Sequence, residues 1–564
     1  MCRIPALYTE ILPNQAQLGP AKTAGLFVLF AVVLIVLHAP LLRLPYFWDE
    51  AGYYIPAARD LFSGSLIPYS TPSNAHPPVV MAWLALAWKI FGQNQIVTRS
   101  AMLLLAAFSL LGFFRLARTV ANSTVAACST LLVGIYPVFF AQSSLAQVDL
   151  PAAGLIFWGV EAYLRNDHIE ARAPSPALIW FALAALAKET AILIPLALVL
   201  WELAATGLSA VRNRGRTALE GRVSDNDKEN SASAGSLKFP AESAYRSAWL
   251  LTPAIPLALW YAYHYVRTGF VFGNPEFFRY NLQSTLHPLR ILLALLLRIW
   301  QTVGYLDLYV LSLACLVAMT FAPIEDAQGE RPRIAIPMQF AFLAIAIICL
   351  VSLSIVGGAV LARYMLPVVP LVIVVCVSTI WRRLRAWKAV IAVIALAFVS
   401  ALYINPPYGF SPEDNLAYRD YIRLHQRAER FLEQRYPSAR VLTAWPASDE
   451  LTRPYLGYIP KPMQVVKIED FSTEQVLSAA DARSRFDMAL VFSTKYQPEH
   501  TIFDRWRTWQ EWKSRYFGYH VDLKPEVAAS VLGGNVVYLE RRRGQWVGII
   551  LIEKIEEAKL SVAH

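Results

Sequence analysis

The sequence carries little charge for its length. Asp, Glu, Lys and Arg make up only 16% of its 564 residues, whereas 56% are hydrophobic. Soluble domains have about 25% charged residues, so the composition excludes an ordinary soluble protein and predicts a membrane protein with several spans. Much of the net charge of +10 lies in short runs beside apolar segments, such as 115–118 and 381–388. Cytoplasmic loops collect Lys and Arg in this way, so the charge indicates topology rather than binding to nucleic acid.

Cysteine is also scarce, with five residues in the chain. Four of them, Cys128, Cys315, Cys349 and Cys376, lie in apolar segments, Cys2 lies near the start, and there is no CxxC pair. Neither a disulfide framework nor a structural zinc site is therefore expected. The chain also lacks a Walker A loop and a GxGxxG motif, so a nucleotide donor and a cytoplasmic ATP-driven step are not indicated.

Long apolar runs are abundant. The first, 24–42, has the length of about 20 residues that a span requires, and no small-residue cleavage site follows it. We interpret it as an uncleaved membrane helix whose N-terminus is cytoplasmic. Further apolar helices are predicted at 97–118, 123–142, 150–165, 176–187, 189–205, 247–267, 290–320, 334–356, 360–380 and 387–404.

Basic and polar segments orient these helices. The runs 115–118 and 382–388 and the linker 206–246 are predicted to face the cytoplasm. That arrangement requires the Trp-rich run 78–92 to lie at the membrane interface rather than to cross it. The outcome is about eleven crossings, or up to thirteen if 176–205 is divided differently.

The predicted fold is mainly α, a polytopic membrane helix bundle over 1–404 followed by a small α/β domain over 405–564. The linker 206–246 is polar and mixed in charge, and disorder is expected there. In the last part, Tyr418–Arg435 has the pattern of an amphipathic helix, and VLTAW, MQVVKI, MALVFS and NVVYLE have the pattern of short strands. Their alternation with helical segments predicts an α/β domain, which this topology places outside the membrane.

Two adjacent carboxylates, Asp49 and Glu50, lie in the predicted outer loop 43–77, within the stretch WDEAGYYIPAARDLFSG. Ionisable groups at membrane depth are costly and usually functional. The alternative is that Asp49 merely caps a helix that starts at Glu50. Because the following segment, which contains Tyr53 and Arg59, is short and amphipathic, we favour a catalytic platform on the membrane surface.

A second acid and a histidine are predicted on the same outer face. Asp149 lies in QVDLPAAG, where a capping role beside Pro151 is the alternative. His76 lies in AHPPVV at the other end of the outer loop. A lone histidine is more often structural, but its position between a polar loop and an interfacial helix makes it a candidate substrate contact.

Two cations complete the set of candidates. Lys188 and Glu189 interrupt the apolar stretch ALAALAKETAILIP, where Lys188 either snorkels or contacts a phosphate as a compact charge. Arg363 and Tyr364 lie at the outer start of a late helix, where Arg363 either anchors the helix or grips a phosphate. Carboxylates together with these cations suit an anionic lipid headgroup, a hydroxyl acceptor and a divalent metal such as Mg²⁺ or Mn²⁺, with Asp49 and Asp149 as its ligands.

The chain resembles the GT-C glycosyltransferases, in particular bacterial relatives of the protein O-mannosyltransferases, the lipid A aminoarabinose transferases and the Rgt-type lipopolysaccharide transferases. The resemblance covers about residues 20–400. It is carried by WDEAGYYIPAARDLFSG, HPP at 76–78, FGQNQIVTRS, AQVDLPAAG, the Lys188 break and ARYMLPVVP. Some relatives have an acidic residue and Lys where this chain has Ala75 and His76.

The resemblance implies transfer of a sugar from a polyprenyl-phosphate donor on the outer face of the cytoplasmic membrane, usually with inversion. Asp49 would act as general base or metal ligand, Asp149 matches the second acid, and Lys188 and Arg363 match phosphate contacts. The acceptor would be a hydroxyl of a glycan, lipopolysaccharide or protein.

Two other functions compete with this interpretation. A transporter or lipid flippase would typically show inverted repeats and polar groups at the membrane midplane, whereas here the charged candidates cluster on one side. A membrane-anchored binding protein would place its function in the α/β domain and predicts no effect of changing Asp49.

Overall fold

The computed structural model describes residues 18–166, 176–220, 247–327, 329–496, 498 and 506–553. It is mainly helical and has one sizeable sheet near the C-terminal end, so the predicted fold class is confirmed. Among the described residues up to 404, the helices include Pro20–His38, Ile55–Phe62, Val79–Phe91, Gln95–Val120, Ser123–Ile135, Pro137–Gln142, Asp149–Asn166, Pro176–Ala187, Leu193–Glu220, Ala254–Thr268, Pro275–Asn281, Pro288–Val303, Leu308–Met319, Ile336–Ile355, Val369–Arg383 and Trp387–Tyr403.

Five stretches in the described part are long and apolar enough to cross a membrane. They are Pro20–Leu41, Gln95–Val120, Glu189–Gly207, Pro288–Met319 and Ile336–Ile355. Shorter apolar helices accompany them, and many of their large side chains are exposed on the outside of the bundle. The chain is therefore a multi-pass membrane protein, and the number of about eleven crossings stays a prediction.

Several predicted helices are interrupted. The predicted helix 123–142 breaks at Tyr136, because Pro137 lacks an amide hydrogen and starts a new helix instead. The predicted helix 290–320 breaks at 304–307, where Leu306 and Asp307 have positive φ angles. The expected disorder of 206–246 is wrong for 206–220, since the helix Leu193–Glu220 continues through it, and 221–246 lies outside the described residues.

The Trp-rich run 78–92 forms the helix Val79–Phe91. Its tryptophans, which were expected to anchor the helix at the membrane interface, instead form hydrogen bonds with the next helix. Trp88 is buried and donates a hydrogen bond to the Thr98 hydroxyl (2.9 Å), and Trp83 donates to the Ala101 carbonyl (3.0 Å). Both indoles thus bind this short helix to its neighbour Gln95–Val120.

The C-terminal part contains a five-stranded sheet. Its strands are β3 (Arg440–Ala444), β4 (Gln464–Ile468), β5 (Met488–Phe492), β6 (Gly534–Arg542) and β7 (Gln545–Ile552), and its order is β4-β3-β5-β7-β6. A separate two-stranded hairpin consists of β1 (Glu325–Asp326) and β2 (Gly329–Glu330). The helices of this part are Ala417–Arg435, Ala447–Glu450, Thr473–Ala480, Arg507–Phe517 and Pro525–Leu532.

The sheet contains the four strands predicted from sequence and one more, β7. Strand β3 is parallel to β4 and β5, whereas β7 is antiparallel to β5 and β6. Strand β7 is buried almost throughout. Fully buried strands are continuous apolar runs without alternation, which is why GIILI at the end of the chain escaped the strand pattern.

The C-terminal part packs directly on the first outer loop. The Tyr46 amide donates to the Leu456 carbonyl (3.0 Å), and the Tyr458 hydroxyl donates to the Tyr46 carbonyl (3.1 Å). Next to them, the rings of Trp48 and Trp445 meet edge to face with centroids 4.8 Å apart. The loop that carries Asp49 is therefore held between the membrane helices and the α/β part.

Candidate active site

Glu50 fixes the first outer loop in place. Its side chain is fully buried and forms a two-pronged ion pair with Arg99, which also donates to the Pro45 and Ser144 carbonyls. The Glu50 carboxylate also accepts hydrogen bonds from the backbone amides of Phe47 (2.8 Å) and Ala146. Both of its oxygens are engaged away from solvent, so in this structure Glu50 does not reach a substrate.

Asp49 points in another direction. It precedes a π-helical turn, Glu50–Tyr54, but its side chain forms no capping hydrogen bond, so the alternative capping role is wrong. Instead one carboxylate oxygen, Oδ2, binds the guanidinium of Arg363. The side chain remains 34% exposed, and no described residue forms a hydrogen bond with its other oxygen, Oδ1.

Arg363 joins three carboxylates. It lies in a helical turn, Ala362–Met365, just before the helix Val369–Arg383. Its guanidinium forms ion pairs with Asp49, with Asp149 (Nε to Oδ2, 3.1 Å) and with Glu413. Asp149 and Glu413 are 3% and 2% exposed, against 34% for Asp49. Of the three acids, Asp49 alone reaches the surface.

Lys188 lies on the other side of Asp149. The chain is extended at Lys188, between the helix Pro176–Ala187 and the turn Glu189–Ile192, so the predicted break is present. Its ammonium group binds Asp149 and lies 3.9 Å from the centroid of the Tyr364 ring. Lysine has three donors, so one contact with Asp149 leaves capacity for an anion.

A small cavity lies at this point. Asp149, Lys188 and Tyr364 line its polar end. Apolar side chains of three helices form most of the remaining wall, namely Ala152, Ile156, Leu193, Ile194, Cys349 and Leu353. The cavity is therefore charged at one end and apolar over most of its wall.

His76 is not part of the Arg363 cluster. Its Nδ1 lies 3.1 Å from a Glu189 oxygen, and its ring packs between Tyr53, Tyr54 and Phe277 with centroids 5.5–5.8 Å apart. His76 and Glu189 thus form a separate contact, which the sequence did not predict and which ties the outer loop to the Lys188 break.

Tyr54, rather than the predicted Tyr53, lies beside the acids. Burial raises the pKa of the Tyr54 phenol, and the carboxylates of Asp149 and Asp49 raise the pKa further. Burial also raises the pKa of Tyr53, whose hydroxyl is instead close to Ser73 and Asn74. Nothing in the pattern of the two adjacent tyrosines distinguishes them, because a π-helical turn rotates each side chain away from its α-helical direction.

Two acids were missed by the sequence analysis, Glu413 and Asp414. They lie in SPEDN, shortly after the last membrane helix, and both are buried. Burial raises the pKa of Asp414 to about 7, with Glu413 adding to the rise, and Asp414 accepts a hydrogen bond from the Tyr305 hydroxyl (2.6 Å). Two consecutive acids at the outer end of a predicted span were the signal that could have revealed them.

Two positively charged side chains of the protein occupy the predicted metal site at Asp49 and Asp149. Both acids bind Arg363, and Asp149 also binds Lys188. A divalent ion between these carboxylates would meet two positive side chains, so the donor set in this arrangement does not fit an added metal. Metal dependence of the reaction stays a prediction from the sequence.

The segment 75–217 matches the family model of dolichyl-phosphate-mannose-protein mannosyltransferases. It contains His76, Asp149 and Lys188, so the resemblance found in the motifs is confirmed over this segment. The comparison with curated proteins found no match to the chain.

Solved structures similar to this chain include ArnT from Cupriavidus metallidurans bound to undecaprenyl phosphate. The identity is 15%, the TM-score is 0.49, and the match covers 94% of this chain and 98% of ArnT. The Archaeoglobus fulgidus oligosaccharyltransferase in complex with Zn and sulfate matches with 14% identity and a TM-score of 0.42, covering 83% of this chain and 67% of that one. AglB from Archaeoglobus fulgidus, in complex with an inhibitory peptide and a dolichol-phosphate, matches with 12% identity and a TM-score of 0.38, covering 93% and 74%.

Proposed function

We propose that this chain is a membrane glycosyltransferase that moves a sugar from a polyprenyl-phosphate donor to a hydroxyl acceptor on the outer face of the cytoplasmic membrane. The family match over 75–217 supports the reaction class. One observation in the site carries the proposal. Asp49 is the exposed member of the three acids around Arg363, and its Oδ1 forms no hydrogen bond with a described residue.

Asp49 is assigned as the general base. The acceptor hydroxyl would donate to Oδ1, its oxygen would attack the anomeric carbon, and its proton would pass to the carboxylate. The bond between the anomeric carbon and the phosphate oxygen breaks, and the lipid phosphate leaves with the electron pair. A single displacement of this kind inverts the anomeric centre.

The departing phosphate needs positive charge, and Lys188 is placed to supply it. Its ammonium lies at the polar end of the cavity beside Tyr364. Fixed cations stabilise the charge that develops on a leaving group without costly rearrangement. The apolar wall beyond Lys188, with Ile156, Leu193 and Leu353, suits the first units of a polyprenyl chain.

Arg363 and Glu50 are assigned to positioning rather than to direct contact with the donor. All three acids form ion pairs with the guanidinium of Arg363, so Arg363 orients Asp49 and Asp149 with respect to each other. Glu50 holds the loop that carries Asp49 through Arg99. Both assignments differ from the direct roles that the sequence suggested for them.

The test is transfer of labelled sugar in proteoliposomes that contain the purified chain and a panel of polyprenyl-phosphate sugars. The proposal predicts a glycosylated acceptor and free lipid phosphate in equal amounts. A transporter or flippase would instead move intact donor between leaflets without releasing lipid phosphate. Movement without release would therefore reject the proposal.

A further inference from the structure

A buried cluster of three metal-ligating side chains lies in the C-terminal part, separate from the Arg363 cluster. His425 and Glu429 lie on one face of the helix Ala417–Arg435, one turn apart, and Glu450 ends the short helix Ala447–Glu450. All three are at most 1% exposed. One potential ligand atom of each lies within 4.8 Å of the other two.

The charges of this cluster are not balanced by the chain. Among the residues that the structure describes, neither Glu429 nor Glu450 forms an ion pair with Arg or Lys, and His425 is the one basic side chain paired with either carboxylate. This differs from Glu50, which has Arg99, and from Asp149, which has Lys188 and Arg363. Two buried carboxylates without a cation are costly unless a proton or a metal ion joins them.

The polar atoms of the cluster are also poorly satisfied. Both oxygens of Glu429, one oxygen of Glu450 and Nε2 of His425 have no hydrogen-bond partner in the described part of the chain. The Tyr421 hydroxyl is likewise without a partner, and its ring stacks on His425 with centroids 4.1 Å apart. Buried polar groups are nearly always paired, so this concentration at one point indicates a missing ligand.

We propose that His425, Glu429 and Glu450 bind one divalent transition-metal ion of the zinc class. One imidazole and two carboxylates are an N/O donor set that Zn²⁺ accepts, with a fourth position for water or another oxygen. The proposal does not depend on the glycosyltransferase function. Cysteine spacing gave no sign of this site, because none of its ligands is a cysteine.

The geometry requires only small movements of the side chains. Nδ1 of His425 lies 2.7 Å from a Glu450 oxygen and 3.8 Å from a Glu429 oxygen. Ligand atoms around a tetrahedral zinc with bonds of about 2.0–2.1 Å are about 3.3 Å apart. Glu450 would withdraw slightly and Glu429 would approach slightly, and both changes are within the reach of rotations about glutamate side-chain bonds.

The ion would join two elements that hold the α/β part on the catalytic loop. Glu450 follows closely on Trp445, which packs on Trp48 beside Asp49. Tyr421, one turn before His425, meets the rings of Phe47 and Trp48. The metal would therefore stabilise the docked position of the C-terminal part from a place that no substrate reaches.

The test measures zinc bound by the full chain, purified in detergent, stripped with chelator and then titrated with Zn²⁺. The variants are Glu429→Gln, the matched control Glu433→Gln one turn further along the same helix, and Asp49→Asn, which removes a ligand of any metal at the Arg363 cluster. Bound zinc is counted by mass spectrometry of the element, and the thermal midpoint is recorded with and without zinc.

We expect Glu429→Gln to lose one equivalent of zinc, with an affinity loss beyond the roughly 10- to 100-fold caused by outer-sphere changes. Zinc should raise the thermal midpoint of the wild type, Glu433→Gln and Asp49→Asn, but not that of Glu429→Gln. If Glu429→Gln fails to fold, Co²⁺ added to Asp49→Asn should give the visible spectrum of a tetrahedral site and be displaced by Zn²⁺.

Two results would overturn the proposal. One is a Glu429→Gln variant that keeps all the zinc of the wild type, and the other is the absence of bound metal or of a Co²⁺ spectrum in Asp49→Asn. Either would leave a shared proton as the occupant. In that case Glu429→Gln should be at least as stable as the metal-free wild type, because an amide replaces a protonated acid.

Discussion

The buried pair of Glu50 and Arg99 allows a quantitative test of how the catalytic loop is held. In Glu50→Gln an amide NH₂ group replaces one of the two oxygens, and it would face hydrogen-bond donors of Arg99 and of a backbone amide. The Arg99 charge would remain buried without its partner. Removing one member of a buried pair costs about 3–5 kcal/mol, so the loop should open far more often.

The assay is hydrogen exchange of the amides in 43–64, read by mass spectrometry. Local opening controls this exchange, and a cost of about 3–5 kcal/mol corresponds to an acceleration of at least about 100-fold. The matched control is Asp326→Asn, which breaks the exposed pair of Asp326 and Arg331. Exposed pairs contribute about 0–1 kcal/mol, so exchange in 43–64 should not change there.

A second variant separates loss of the pair from loss of a single group. Arg99→Met leaves the Glu50 carboxylate with two backbone amides, and it should also speed exchange strongly. The double variant removes both charges. Its free-energy cost of holding the loop should therefore be smaller than the summed costs of the two single variants, by about 1–3 kcal/mol. Exchange in Glu50→Gln within about fivefold of the wild type, or strict additivity in the double variant, would refute this account of the loop.

Three further outcomes are expected. Burial raises the pKa of Asp414 to about 7, so the folded state keeps a proton that the unfolded state loses above about pH 4, and the contribution of Asp414 to stability falls between pH 4 and 7. The thermal midpoint of Asp414→Asn should therefore rise relative to that of the wild type from pH 5 to pH 8. A difference between the two midpoints that stays constant with pH would contradict this. Lys188→Met should lower kcat/KM for the lipid donor roughly 10- to 100-fold through loss of a charged contact, whereas Lys89→Met, in the last turn of the helix Val79–Phe91, should not. Gly52→Ala would place a Cβ 2.9 Å from the Trp445 ring, so it should weaken docking of the loop by about 1–3 kcal/mol, and unchanged hydrogen exchange in 43–64 would argue against that contact.

Much of the site was accessible from the sequence because membrane proteins restrict where charge occurs. Asp49, Asp149, Lys188 and Arg363 each interrupt or border an apolar run, and the cost of burying charge in lipid makes such residues informative. The structure brings these four together in one cluster. The sequence did not reveal which of these residues pair with one another. It predicted that Arg363 contacts a phosphate, whereas the structure shows ion pairs of Arg363 with three carboxylates.

The parts that were missed depend on contacts between distant segments. Glu413 joins the cluster only because the chain returns to the membrane surface after the last span. Glu50 and Arg99 are 49 residues apart and meet across the first outer loop, so no local pattern distinguishes the positioning acid Glu50 from its exposed neighbour. Helix breaks at 136–137 and 304–307 occur within continuous apolar runs, where hydropathy alone predicts one span.

The role of Asp49 as the base of a sugar transfer can be decided by the transfer rate of Asp49→Asn in proteoliposomes. The amide keeps the shape and a contact with Arg363 but cannot accept the acceptor proton, and loss of a general base typically lowers rates by about 10²–10⁴-fold. The control Asp481→Asn changes an exposed acid in the C-terminal part. We expect Asp49→Asn to insert normally into the membrane and to lose at least about 100-fold in transfer rate, whereas the control should transfer sugar normally. Transfer by Asp49→Asn at the wild-type rate would contradict it.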